Sequence, residues 1–271
     1  MIGDRKIAFI GAGFMGKALI RGLVQSETVA PGAITAADSE EKALKEIGDE
    51  LKIKTTSSNC DAAANADIVV MCVKPQVMEN VMAGINQSLG GKTLVLSIAA
   101  GVTLSSLASW TPDGAKIVRA MPNLGAAVGA SATALCAKET TGDNAMEMAR
   151  ELFNAVGKTV VVSEDMMDAV TGLSGSGPGF VFLFLEAMID AGVRCGLPRE
   201  AASTLATQTL YGSALLASVS GEHPAMLKNR VTSPGGTTIA GLSILENSMF
   251  RGSVINAIKE AAKRSKEMGD D

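Results

Sequence analysis

Tryptophan and tyrosine occur once each, and aromatic residues make up only 3% of the 271-residue chain. Packing must therefore rest on Ala, Val, Ile, Leu and Met, a composition suited to helices in close contact. Histidine is equally scarce. The lone His223 excludes an HExxH zinc site, which needs two, and no carboxylate cluster has metal-ligand spacing, so no metal is expected. His223 lies in Gly221-Glu222-His223-Pro224, which reads as a loop or cap before a helix and not as a catalytic base. The four cysteines, Cys60, Cys72, Cys136 and Cys195, form no CxxC pair and fall in segments that read as helix or strand. They are expected to be reduced thiols in a cytoplasmic protein.

Charge is also sparse, at 19% of residues, with 24 basic against 28 acidic groups and a formal net charge of −4. The densest basic patch, Lys263, Arg264 and Lys266, is interrupted by other residues, so nucleic acid is not an expected partner. Long apolar runs are missing too. The opening MIGDRKIAFIG has too short an apolar core for a signal peptide. The stretch Phe180–Leu185 is followed by Glu186 and Asp190 and falls short of a bilayer span. A soluble protein with no membrane partner is the expectation.

What is present is an ordered alternation. Up to Ser163, short β-branched runs alternate with helical patterns, the mark of successive βα units and a mainly parallel sheet. Strands are predicted at Lys6–Ile10, Ala33–Ala37, Ile68–Cys72, Leu94–Ile98, Lys116–Ala120, Ser131–Cys136 and Thr159–Val162, with helices that include Met15–Gln25, Gln76–Gln87 and Asn144–Ala155. Beyond Ser163 only helical periodicity remains, broken at GLSGSGPG, GLP, EHP and SPGG. Two domains are predicted: 1–163, a Rossmann-like doubly wound α/β sheet, and 164–271, all helical. A helix starting near Pro178 carries Phe180, Phe182, Phe184, Leu185, Met188 and Ile189, apolar nearly all round, and so needs burial on every side. A domain of about 100 residues can hardly supply that alone. An intimate homodimer is expected, with a central helix buried within one chain as the alternative.

The segment KIAFIGAGFMG places GxGxxG directly after an apolar strand and before a helical pattern. Gly11 permits the tight turn, Gly13 lets the backbone approach a pyrophosphate, and Gly16 allows close helix–strand packing, with Phe14 and Met15 opening the helix whose amides face the phosphates. The structural alternative is an ordinary glycine-rich βα turn. Asp38 ends the second strand about 20 residues further on, where an acid bonds ribose hydroxyls and repels a 2′-phosphate, leaning toward NAD. Ser39, Lys42 and Asn59 would instead shape a phosphate pocket if Asp38 points away. Val73-Lys74-Pro75, Ala99 to Thr103 with Gly101, and Met121-Pro122-Asn123 all follow strands at the sheet's carboxyl edge, where such folds bind ligands. Lys74 either meets the cofactor or merely begins a helix.

The chain resembles the pyrroline-5-carboxylate reductases nearly end to end, through FIGAGFMGKAL, CVKPQ, VLSIAAGVTL, RAMPN, DAVTGLSGSGP, GLPRE, GEHPAMLKNRV and above all SPGGTTIAGLSILE. The resemblance implies a dinucleotide domain followed by a helical dimerisation domain, assembly as a homodimer or higher homo-oligomer, and NAD(P)H-dependent reduction of 1-pyrroline-5-carboxylate to L-proline. It also implies that Ser233, Gly236 and Thr237 bind the substrate carboxylate and that the Thr238 hydroxyl meets the ring nitrogen. The residues alone support a nest of amides at Ser233–Thr238 suited to a carboxylate, or a plain Gly-Gly turn with a Thr cap. Two departures stand out: Leu124-Gly125 replaces the family's usual Thr-Pro after MPN, and Gly179-Phe180 replaces Ala-Tyr after SGSGP. Rival readings are a 3-hydroxy-acid dehydrogenase with Lys228 as general acid, and a dinucleotide-binding sensor without catalysis.

Overall fold

The computed structural model describes residues 2–270. The chain divides into two compact units, Met1–Ser176 with Lys259–Asp271, and Gly177–Ile258.

The first unit begins with β1 (Ile7–Ile10), α1 (Phe14–Gln25), β2 (Ile34–Ala37), α2 (Glu41–Leu51), β3 (Lys54–Thr56) and α3 (Asn59–Ala63). It continues with β4 (Ile68–Met71), α4 (Pro75–Ile85), β5 (Leu94–Ser97), α5 (Leu104–Trp110) and β6 (Lys116–Met121). Then follow β7 (Ser131–Ala137), α6 (Asp143–Asn154), β8 (Gly157–Val161) and the short α7 (Met167–Val170). The eight strands form one sheet in the order β3-β2-β1-β4-β5-β6-β7-β8, parallel throughout except where β7 runs antiparallel to β6. This is the doubly wound fold that the alternation predicts.

Strand periodicity sorts the core into two layers. Ile7 and Phe9 of β1 face Leu19, Leu23 and Phe153, whereas Ala8 and Ile10 face Val69, Met71 and Met78 on the other side of the sheet. One strand, β3, was not anticipated: its Lys-Thr-Thr sequence sits at the sheet edge, largely exposed, and carries no apolar alternation to betray it.

The sheet ends where the predicted domain break falls, but the compact unit does not. Residues 164–176 stay with the sheet because Met167 is buried in the second layer of core and Glu164 bonds to Arg119 of β6.

The second unit holds α8 (Gly177–Arg194), α9 (Arg199–Ser220), α10 (Pro224–Arg230), α11 (Thr237–Asn247) and the start of α12 (Phe250–Asp270). The close seam between α8 and α9 rests on small residues, since a Cβ on Gly192 would stand 3.0 Å from that of Ala202. Phe184 and Phe250 add a tilted ring contact at 5.8 Å. Ala202 and Ala206 are the only buried apolar residues among the described residues of this unit, and α8 buries none. By length and composition the helical run Glu164–Arg194 does reach what a membrane crossing requires, with mean hydropathy 1.3 and 6% of that window buried. This corrects the expectation based on Phe180–Leu185, which ignored the Gly and Ala residues that lengthen the run without adding charge.

Across the first unit's surface, Arg21 of α1 grips Glu50 of α2 through two 2.6 Å hydrogen bonds, which hold the Glu50 carboxyl below its ordinary 4.5. A carboxyl depressed in the folded state stabilises the fold above its unfolded value and loses that contribution as pH falls through the folded one. Glu50→Gln should therefore lower Tm at pH 7, by the small amount usual for an exposed pair, and its deficit should shrink as the pH falls below the ordinary 4.5. A deficit independent of pH would refute the pairing.

Candidate functional site

The connection from β1 goes to β2 on one side, and the chain returns to place β4 on the other, so the β1/β4 boundary is the switch point at which doubly wound sheets bind ligands. Three backbone segments meet there. Gly11 donates to the Ala37 carbonyl at 2.8 Å, and Cys72 donates to the Ile10 carbonyl at 2.8 Å. Gly11 has a φ of +104°, and a Cβ on it would lie 2.8 Å from the Cys72 oxygen. A Cβ on Gly16 would overlap the Gly11 carbonyl. Both glycines are thus required by the fold itself.

Gly13 is different. Nothing lies within 4 Å of a Cβ built on it, so no protein atom explains its lack of a side chain. It is the N-cap of α1, makes no side-chain cap, and has no acid in the turn that follows. The first intrahelical bond runs from Lys17 to Gly13, leaving the amides of Phe14, Met15 and Gly16 as free donors at the positive end of the helix dipole. That cradle fits a pyrophosphate. Phe14, 60% exposed, stands beside it.

Asp38 reaches into the same loop. One carboxylate oxygen accepts from the Ala12 amide at 2.6 Å and the other from the Glu40 amide at 3.0 Å. The acid therefore fixes its negative charge beside the glycine turn and braces it, a role that its place in the sequence did not disclose. Asn59 opens α3, whose cap is Ser58, and stands half-exposed. Lys74 is the exposed N-cap of α4 with Pro75 at its first position, while Val73 is half-buried.

The remaining cofactor candidates are placed less simply. Ala99 is buried in the core. Gly101, in the left-handed region at φ +77°, meets the chain's own end: a Cβ there would lie 3.3 Å from the Met268 carbonyl. Asn123 directs its whole side chain inward, its oxygen accepting from Gly125 at 3.1 Å and Ala132 at 3.3 Å, its nitrogen donating to the Ser174 carbonyl at 3.1 Å. It organises the turn before β7. Gly125 belongs to that turn because a side chain there would overlap the Ala130 carbonyl, which gives the Leu124-Gly125 departure a local steric reason.

An ionic clasp went unseen in the sequence. Arg119, buried within β6, bonds Glu164 at 2.8 Å, and the same carboxylate oxygen accepts from the Leu104 amide at 2.6 Å. The only sign was a charged residue inside the apolar run Lys116–Met121. Neither the Cys136 thiol beside this clasp nor Cys72 at the glycine turn is poised as a nucleophile: burial pushes Cys136 up to about 11 despite Arg119, and burial raises Cys72 further. Among the described residues no group of His, Cys, Asp and Glu could hold a metal ion.

Ser233, Gly236, Thr237 and Thr238 all lie in the second unit, at the start of α11. Gly235 takes a φ of +65°, Gly236 is the N-cap, and the cap has no side-chain bond. No acid occupies the first turn, so the amides that follow Gly236 form a donor cluster for an anion. Ser233 and Thr237 are exposed and Thr238 half-exposed. His223 caps α10, its Nδ1 accepting from the Ala225 amide at 3.2 Å, and Lys228 stands half-exposed on that helix.

Comparison with known proteins agrees with both regions. Residues 164–268 match the family model for pyrroline-5-carboxylate reductase dimerisation, and residues 6–101 match that for NADP oxidoreductase, coenzyme F420-dependent. Pyrroline-5-carboxylate reductase of Methanosarcina acetivorans is 42% identical, covering 98% of each chain, and that of Escherichia coli 41%, again with 98% of each covered. A Coxiella burnetii pyrroline-5-carboxylate reductase superposes with a TM-score of 0.92 at 36% identity over 98% of this chain and 99% of that one. The Plasmodium falciparum pyrroline carboxylate reductase with NADP bound gives 0.88 at 33% identity over 98% of each.

The two kinds of glycine predict two phenotypes. Gly13→Ala should keep the wild-type Tm yet weaken dinucleotide binding about tenfold or more, whereas Gly16→Ala should lower Tm itself. Calorimetric titration and thermal melts check both, and equal melts for the two variants would contradict the assignment.

Proposed function

The chain belongs to the pyrroline-5-carboxylate reductase family, and from that premise we propose that it reduces 1-pyrroline-5-carboxylate to L-proline with NAD(P)H, as the last step of proline biosynthesis. The observation that carries this reading is the roughly 40% identity to reductases of that name over nearly the whole chain. The dinucleotide, when bound, supplies the hydride. Everything else falls to the protein's own groups.

Gly11, Gly13 and Gly16 with the amides at Phe14 and Met15 hold the pyrophosphate, and Asp38, Asn59 and the loops Val73–Pro75, Ala99–Gly101 and Asn123 complete the dinucleotide site. Asp38 keeps its charge at the ribose end and favours NADH over NADPH. Ser233, Gly236 and Thr237 hold the substrate carboxylate at the start of α11. The C=N carbon must accept hydride while its nitrogen carries a proton, so a hydroxyl oriented at that nitrogen stabilises the reacting form. Thr238 is that group. No strong acid or base is required, since orientation alone contributes roughly 7–11 kcal/mol in favourable cases.

The second unit acts as a homodimer. Its scarcity of core and the apolar surface of α8 support this, along with the match to a dimerisation family. A second copy, not lipid, covers the apolar surface of α8, in keeping with a cytoplasmic enzyme.

Absorbance of NADH and, separately, NADPH followed with racemic 1-pyrroline-5-carboxylate tests the reaction and ranks the cofactors; NADH should give the higher rate, and oxidation of neither would sink the proposal. Thr238→Ala should lower kcat about tenfold or more, the scale of a hydrogen bond made in the transition state, with cofactor affinity retained. Unchanged kinetics would remove its role.

A further inference from the structure

We infer that the C-terminal turn of α12, Ser265–Gly269, is a positioning element for the loop Ala99–Thr103 that follows β5, and through that loop for the nicotinamide end of the bound dinucleotide. The inference rests on the reading that this edge of the sheet holds a dinucleotide. β5 neighbours β4, one strand from the switch point, so the loop after it lies at the carboxyl edge where the reactive ring of such a cofactor must lie.

Two glycines meet across the contact. A Cβ on Gly101 would stand 3.3 Å from the Met268 carbonyl and 3.4 Å from the Gly269 nitrogen, and a Cβ on Gly269 would stand 2.9 Å from the Gly101 carbonyl. Backbone lies on backbone, with no room for a side chain on Gly269. Gly101 in isolation would sample both signs of φ freely; packed against the turn, it is held at +77°.

The turn is itself anchored. Ser265 is buried, 5% exposed, within a helix whose last turns are otherwise polar, and its hydroxyl bonds the Asp168 carboxylate at 2.7 Å. Asp168 lies on α7, next to the residues that carry Glu164. Glu164 in turn accepts from the Leu104 amide and from Arg119. The loop is thereby held at three points: Ala99 in the core, Gly101 under the C-terminal turn, and Leu104 on the Glu164 clasp. Gly101, Thr103, Arg119, Glu164, Asp168 and Lys266 surround one cavity of about 170 Å³, so the C-terminal turn and the Glu164 clasp border the same site. Remove the turn and the middle support goes, leaving a glycine-centred loop to be ordered only when the dinucleotide binds. That ordering is subtracted from affinity.

The test uses the full-length enzyme carrying Gly269→Val, Ser265→Ala or Ser265→Thr, with Glu260→Gln as an exposed control on the same helix. Dinucleotide Kd, the KM of each substrate, kcat, Tm and hydrogen exchange of residues 98–104 are measured. Gly269→Val and Ser265→Ala should raise the dinucleotide Kd and KM about five- to tenfold and speed exchange in that segment. The imine KM should stay within twofold, and Ser265→Thr, which keeps the hydroxyl, should restore wild-type values. A role confined to stability would lower Tm and leave the two KM values unchanged. Dinucleotide affinity within twofold of wild type in Ser265→Ala, with exchange of 98–104 unaltered, would overturn the inference even if Gly269→Val fails to fold. Failure of the wild-type enzyme to bind dinucleotide would instead remove the functional reading beneath it.

Discussion

Backbone packed directly on backbone at the β1/β4 boundary is the constraint on which the rest of the first unit depends. The Cys72 carbonyl presses on Gly11, and the Gly11 carbonyl presses on Gly16, so α1 starts within van der Waals reach of the sheet with no side chain between. From this follow the direction of α1, the free amides at its start and the need for Asp38 to brace Ala12. The open space at Gly13 acquires meaning only against that crowding. Two glycines close the fold and the third leaves room for a ligand.

The second unit obeys an opposite constraint. Its helices pack through alanine and glycine, and its large apolar side chains turn outward, Leu183 and Tyr211 being more than half exposed. A unit that leaves this much apolar surface uncovered does not resemble a finished domain. Residues 164–268, which include these helices, match the family model for pyrroline-5-carboxylate reductase dimerisation. A substrate loop at the start of α11, as proposed, would gain rigidity from assembly and not from a core of its own, which would suit a reaction in which orientation matters more than any strong acid or base.

Much of this was legible in the residues. Alternating β-branched and helical runs gave the sheet, GxGxxG in its strand–helix setting gave the cradle, and SPGGTTIAGLSILE gave the family that the comparisons bear out. The features that stayed hidden share a physical cause: they are contacts between residues far apart in sequence. Asn123 has a structural task that its position does not announce, its amide being bonded to Gly125, Ala132 and Ser174. Gly101 packs against the C-terminal turn of α12, a contact that its place after β5 does not announce. Arg119 and Glu164 are 45 positions apart, and neither position predicts the other. β3 escaped notice because an exposed edge strand needs no apolar pattern. Local rules write elements and loops, whereas partners are settled by the fold.

The most direct test of the account is to follow the hydride itself. Reduction of 1-pyrroline-5-carboxylate with NADH carrying deuterium at both C4 positions of the nicotinamide, and analysis of the proline by mass spectrometry and NMR, reads out the transferred atom. One deuterium per proline, located on the carbon that was double-bonded to nitrogen, is the predicted result. Proline formed without label at that carbon, or cofactor oxidised with no proline formed, would contradict it.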